Sequence, residues 1–171
     1  MLQIIPAESE TQYRQVRELL VELTEWDMSQ VERLGLDAQK VLHFYYASGD
    51  QALPGEYAPP EGRMLLATYS AKAAGCAAFH CMTPDICEMK RMYVRPELRR
   101  LGIGRQLAEA LIVAAREAGY GIMRLETTTF MDRAITLYSS LGFRTCKAYY
   151  PIPESFREIT VFMELHLAAT K

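Results

Sequence analysis

A chain of 171 residues, half of them hydrophobic and 23% charged, has the size and balance of one folded domain, 1–171, rather than of a disordered or fibrous protein. A net charge of −2 and a pI near 6.0 argue against a general nucleic-acid binder, which would be basic overall. No stretch approaches the ~20 apolar residues of a membrane span, and the start, MLQIIPAESETQ, lacks a basic segment followed by a long apolar run, so a cytoplasmic protein is expected.

In chain order, residues 9–24 place Tyr13, Val16, Leu19, Leu20 and Leu23 at helical spacing behind Ser9 as N-cap. A second helix is predicted over 37–48, capped by Asp37, with Val41, Leu42, Phe44 and Tyr45 as its apolar face. The Pro- and Gly-rich stretch 48–62 reads as a loop. RMLLATYS (63–70) and AAGCAAFHCM (73–82) form a predicted hairpin, and ICEMKRMYVRP (86–96) a third strand ended by its proline. An amphipathic helix follows over 102–118, then a strand at 121–130 and a helix at 132–143 closed by Gly142. Two last strands are predicted near 143–149 and 159–167, with the loop YPIPESFRE between them. This order makes an α/β domain around a mixed sheet. Cys76, Cys81, Cys87 and Cys146 show no CxxC pairing, and together with His80 they fit no common zinc spacing. They read as reduced, buried small hydrophobes, and no metal is expected.

The stretch RMYVRPELRRLGIGR, 91–105, gathers five arginines and two glycines at a strand-to-helix junction. The first N–H groups of a helix lack internal partners and carry the positive end of its dipole, so such an end binds anions, phosphates above all. Gly102 and Gly104 remove side chains that would block approach, and Arg99, Arg100 and Arg105 add charge beside it. The same residues also suit a solvated turn. The dinucleotide fingerprint is excluded because Leu107 stands where a third glycine is required, and no glycine-lysine pair followed by Ser or Thr marks a P-loop.

RRLGIG (99–104) resembles the Q/R-x-x-G-x-G/A motif of the GNAT superfamily of N-acetyltransferases, whose loop holds the pyrophosphate of acetyl-CoA. The preceding MYV (92–94) resembles the family's fourth strand, and AITLYSSLGF (134–143) its A-x-x-L-Y-x-x-x-G-F helix. The resemblance spans about 86–167 and is weak before residue 60. It implies a mixed central sheet of about six to seven strands with helices on both faces. The fourth strand is bulged and splayed from the fifth, and pantetheine lies in the gap. Cofactor-binding roles pass to Met92, Tyr93 and Val94, mainly through their peptide groups, and to Arg99, Arg100, Leu101, Gly102, Ile103, Gly104 and Arg105. Many relatives carry Asn where this chain has Met131, so the resemblance implies that a cofactor hydrogen bond is either missing there or supplied by Thr127, Thr128 or Thr129.

Acetyl transfer requires a deprotonated amine, a donor for the tetrahedral oxyanion, and a proton for the departing thiolate. The resemblance gives the last role to Tyr138, although Ala134, Ile135, Tyr138 and Leu141 also form a core stripe. It gives the oxyanion to the Val94 N–H. Glu88, six residues before Val94 and of the same parity on a regular strand, is a candidate base or else a surface carboxylate paired with Lys90 or Arg91. The acceptor is expected between 24–37 and 148–158, where Trp26, Tyr149 and Glu154 line its path, or where an ordinary solvated loop packs its aromatics. The reaction implied is N-acetylation, by acetyl-CoA as cosubstrate, of a primary amine on a small molecule or amino acid. A protein lysine or N-terminus is the alternative acceptor, and a non-catalytic acyl-CoA-binding module the alternative class. No nucleic-acid or membrane partner is expected; a homodimer stays open.

Overall fold

The computed structural model describes residues 1–37, 39–41 and 53–167. Of the helix expected over 37–48, residues 39–41 are helical and 42–48 lie outside the described residues. The elements are β1 (Leu2–Pro6), α1 (Glu10–Arg33), β2 (Arg63–Tyr69), β3 (Lys72–Thr83), β4 (Ile86–Val94), α2 (Ile103–Glu117), β5 (Ile122–Thr128), α3 (Asp132–Ser140), β6 (Arg144–Thr145), α4 (Glu154–Arg157) and β7 (Thr160–His166). Short 3₁₀ turns stand at Gly55–Tyr57 and Pro96–Leu98.

The strands form one seven-stranded sheet in the order β1-β2-β3-β4-β5-β7-β6. All pairs are antiparallel except β4–β5, which are parallel because α2 carries the chain back across the sheet. α1 packs on one face through Val16, Leu19, Leu20 and Leu23, against Leu66, Cys76, Ala78 and Tyr93. The opposite face is covered by α2 and α3, where Leu107, Leu111 and Tyr138 join Phe79, Met89, Met123 and Met163. Cutting a fully buried leucine such as Leu107 to alanine should cost about 2–5 kcal/mol.

Local chemistry explains most element ends. Ser9 caps α1 in a reciprocal box: its Oγ accepts from the Gln12 N–H at 3.3 Å, and Gln12 Oε1 accepts from the Ser9 N–H at 2.9 Å. α1 continues through Trp26 to Arg33, so much of the predicted acceptor segment 24–37 is helix rather than loop. Nothing between Thr24 and Arg33 breaks a helix, and the first glycine, Gly35, sits at φ 68° just beyond the cap. β1 was not expected from a run as short as LQIIP; it is recruited as the edge partner of β2. β6 is only two residues long, and the expected loop around 153–158 contains the short helix α4. Among the described residues no helix is long and apolar enough to cross a membrane.

Two irregularities in β4 shape the site. Between the pairs Cys76–Tyr93 and Ala78–Lys90, β3 advances two residues and β4 three, with Arg91 at φ 58°. This bulge reverses side-chain parity along the strand. Met89, Met92 and Val94 therefore point to the α2 side, whereas Tyr93 packs under α1. Glu88 and Val94 consequently face opposite sides, against the parity expected from a regular strand. β4 and β5 pair only from Ile86–Ile122 to Glu88–Arg124, then separate. The bulge and the splay are the features the family resemblance implied.

Candidate active site

The gap left by the splay holds a cavity of about 680 Å³ along β4, the 99–105 loop, the start of α2 and one side of α3. α2 begins at Gly102, in the left-handed region at φ 77°, and no side chain caps it. Its first N–H groups therefore face the cavity with positive dipole and no local acceptor. A Cβ added at Gly104 would lie 3.7 Å from Leu137 and 3.8 Å from Val94, so anything larger would project into the groove. Arg100, Arg105 and Arg133 line the same wall. A helix start with exposed N–H groups, a narrow glycine floor and several guanidinium groups fits a pyrophosphate.

Nearly all of the expected cofactor contacts are brought together here: Met92, Tyr93, Val94, Arg99, Arg100, Gly102, Ile103, Gly104 and Arg105. Leu101 is half exposed and does not line the cavity, and Thr127 lines a second, smaller one. Arg99 donates to the Val94 carbonyl at 3.1 Å and lies over the Trp26 ring at 5.3 Å. Trp26, expected on the acceptor path, lines this larger cavity from α1. The Arg95 N–H bonds to the Ala74 carbonyl at 3.0 Å, and since N–H directions alternate along a strand, the Val94 N–H turns toward the β4–β5 gap. The end of β4 is clamped by Arg95, which forks onto Glu22 of α1, with Nη2 2.7 Å from Oε1.

The second cavity, about 170 Å³, opens between α1, β4 and β5 and shares Leu23, Met92, Phe130, Met131 and Tyr138 with the first. Tyr138 is buried at this junction, packed on Phe143, and burial pushes its hydroxyl well above the ordinary tyrosine value. The smaller cavity is lined by Asp27, Lys90, Arg91, Glu126, Thr127 and Thr128 among apolar neighbours. The Thr128 hydroxyl oxygen is buried there without a hydrogen-bond partner, the kind of polar atom a bound ligand satisfies. Glu126 is 13% exposed; its Oε1 takes Lys90 Nζ at 3.1 Å, and its other oxygen accepts from the Tyr150 hydroxyl. Burial raises its carboxyl above the ordinary carboxylate value, against the Lys90 charge and hydrogen bond, and the Glu88 charge adds to the rise.

Glu126 is not among the site residues expected from the sequence. The signal was present: LETTTF places a lone carboxylate in the strand that must splay from β4.

Glu88 lies elsewhere. It is buried, lines neither of these cavities, and is tied to His80 Nε2 at 3.0 Å, the Tyr149 hydroxyl at 2.7 Å and Lys90 Nζ at 3.6 Å. Burial alone would raise it, but His80, Lys90 and Tyr149 together hold it below the usual carboxylate value. Tyr149 is consumed by that bond, and Glu154 is exposed at the start of α4; neither lines the smaller cavity.

Known proteins resemble this chain in sequence and in fold. The acetyltransferase (GNAT) family model matches residues 20–143. An uncharacterised N-acetyltransferase of Schizosaccharomyces pombe is 41% identical over 143 residues, 81% of this chain and 82% of that protein. An IAA acetyltransferase of Azospirillum brasilense is 35% identical over 108 residues, 63% of this chain and 69% of that protein. The crystal structure of a ribosomal-protein alanine N-acetyltransferase from Escherichia coli superposes with a TM-score of 0.65 at 22% identity, covering 100% of this chain and 97% of that one, a likeness of fold. With the splayed β4–β5 gap and the glycine-floored helix start, these matches place the chain in the acetyltransferase (GNAT) family, as an acetyl-CoA-dependent N-acyltransferase.

Proposed function

We propose that the protein moves an acetyl group from acetyl-CoA, held in the larger cavity, to a primary amine of a small molecule or amino acid, whose nitrogen enters the smaller one. The observation that carries this reading is the meeting of the two cavities at Tyr138, with Glu126 buried on the acceptor side. Acetyl-CoA supplies an activated acyl carbon. Gly102, Gly104 and the α2 N-terminus hold its diphosphate, and Met92 to Val94 run along its arm.

Glu126 takes a proton from the acceptor ammonium. Its carboxyl is raised by burial, which makes it a stronger base than an exposed glutamate. The Val94 N–H faces the oxyanion as the new C–N bond forms. Tyr138 gives a proton to sulfur as the C–S bond breaks and regains one from the nitrogen as it becomes the amide, while the proton on Glu126 leaves to solvent; its raised value keeps Tyr138 protonated until the C–S bond breaks. The Thr128 hydroxyl contacts a polar group of the acceptor. These roles move the base from Glu88, which lines neither cavity, to Glu126, and move Trp26 to the cofactor side.

A volume of about 170 Å³ admits a small amine or the end of a longer one. The acetylated alanine named for the Escherichia coli neighbour favours a second reading, a protein N-terminus. Thiol release from acetyl-CoA over a panel of amines, amino acids and peptides separates them. Small amines or amino acids should turn over best; a preference for peptides confined to their N-termini would replace the first reading by the second. With the best acceptor, Glu126→Gln should lose about 10²–10⁴-fold in kcat/KM at neutral pH. Part of that loss should return at alkaline pH, where the amine loses its own proton. An unchanged rate and pH profile would remove Glu126 from the chemistry.

A further inference from the structure

The α1-side face of β3, β4 and β5 carries a buried row of charge that the reaction above leaves unexplained. His80, Glu88, Lys90 and Glu126 stand side by side across these strands: His80 Nε2 to Glu88 at 3.0 Å, Glu88 to Lys90 Nζ at 3.6 Å, Lys90 Nζ to Glu126 at 3.1 Å. Both carboxylates are deeply buried, with side chains 4% and 13% exposed. Taking them out of water is costly, and apolar residues would fill the same space at less expense. One ammonium serves two carboxylates, and only one of the two faces the acceptor cavity.

We propose that Glu88 is a positioning residue: anchored by His80 and Tyr149, it competes with Glu126 for Lys90, and so sets how firmly that ammonium holds the base. This rests on Glu126 being the base, as proposed above. Were Lys90 given wholly to Glu126, the carboxylate would be over-stabilised as an anion and would be a weak proton acceptor. With no cation nearby, the carboxyl would stay protonated. A shared cation leaves it between these limits. Glu88 suits that task because its own position is fixed from two other sides. Its Oε1 accepts from Tyr149, whose ring packs on Phe162 and lies 5.0 Å from the Arg124 guanidinium. His80 is held in turn, with Nδ1 3.1 Å from the Cys81 carbonyl oxygen and 3.6 Å from Glu56. Glu126 is also faced by Arg91 beside Lys90 on β4, Tyr149 and Tyr150 after β6, and Asp27 of α1 on the cavity wall.

The test reads Glu126 directly. Protein carrying ¹³C-carboxyl glutamate is titrated by NMR, the Glu126 signal being identified by its absence from Glu126→Gln. Glu88→Gln should move the Glu126 midpoint to lower pH, because Lys90 then serves Glu126 alone. Lys90→Met should move it to higher pH, and Lys90→Arg should restore it. Glu88→Asp, which keeps the charge but withdraws it from Lys90, should shift the same way as Glu88→Gln by less, and it stands in should the glutamine variant fail to fold. In turnover, Glu88→Gln should cost about 3- to 10-fold in kcat/KM, less than the about 10²-fold lower bound for losing a base. A Glu126 midpoint unmoved by the Glu88 variants, or moved the same way by Glu88→Gln and Lys90→Met, overturns the proposal and leaves Glu88 as a structural anchor for Tyr149. The base reading fails separately, if the acid limb of the wild-type kcat/KM profile does not follow the Glu126 titration or survives in Glu126→Gln.

Discussion

The larger cavity takes its polar wall mainly from one run of chain, Met92 to Arg105, whereas the smaller one is assembled from α1, β4, β5, α3 and the loops beside them. The first offers backbone N–H groups and guanidinium groups, which any phosphate of the same shape can use. The second presents a particular carboxylate, an unpartnered hydroxyl and a few apolar side chains. A cofactor site can therefore be local in sequence. An acceptor site depends on which distant residues the fold brings into one space.

The junction between the two cavities should be the most sensitive point. Tyr138→Phe keeps the ring on Phe143 and removes only the hydroxyl, so kcat should fall by roughly 10²-fold or more while coenzyme A binding holds. Single-turnover measurement checks this, and a normal chemical rate would return Tyr138 to the core. Gly104→Val tests the larger cavity alone. Its extra methyl groups enter the groove, and the about 1–3 kcal/mol typical of overpacking means a rise of roughly 5- to 150-fold in the Kd for coenzyme A. Calorimetry reads it; an unaltered affinity would take the glycine floor out of the phosphate site.

Trp26 tests where the boundary between the two proposed sites lies. Losing its stacking with Arg99, about 0.5–2 kcal/mol, should weaken coenzyme A roughly 2- to 30-fold in Trp26→Ala, with little change in acceptor KM. The reverse pattern would put the indole back on the acceptor path.

The smallest effect concerns stability. Glu88 is held below its ordinary carboxylate value, so it favours the folded state above the ordinary range, and this contribution is lost as pH falls through its depressed folded value. Glu126 is shifted the other way: its contribution is present at low pH and is lost as pH rises through its raised folded value. Melting curves across pH should therefore show Glu88→Gln destabilised at neutral pH by about 1–3 kcal/mol, with the deficit shrinking as acid protonates Glu88 in the wild type. A deficit that grows in acid would contradict the sign of its shift.

Much of the framework is legible in the amino-acid sequence. Ser9 with Gln12 announces a capped helix, the alternation around residues 63–82 a hairpin, and RRLGIG a helix start that accepts phosphate, because each depends on neighbours within a few positions. The LY helix and its Tyr138 follow from the family resemblance, and the fold sets that residue between the cavities. β1 is not legible, since five residues become a strand only when β2 offers an edge. Glu88 and Val94 look like partners on one face, and the bulge at Arg91, a backbone event that no residue type there demands, puts them on opposite ones. Glu126 is easily passed over because a lone carboxylate in a strand has no local meaning. Its burial, its tie to Lys90 and its place on the cavity wall arise only when β5 separates from β4 and α1 closes over the gap. Short-range preferences of the chain thus determined the elements and the uncapped, glycine-flanked helix start. Long-range packing decided which charges are desolvated, which of them face the acceptor cavity, and therefore which can do chemistry.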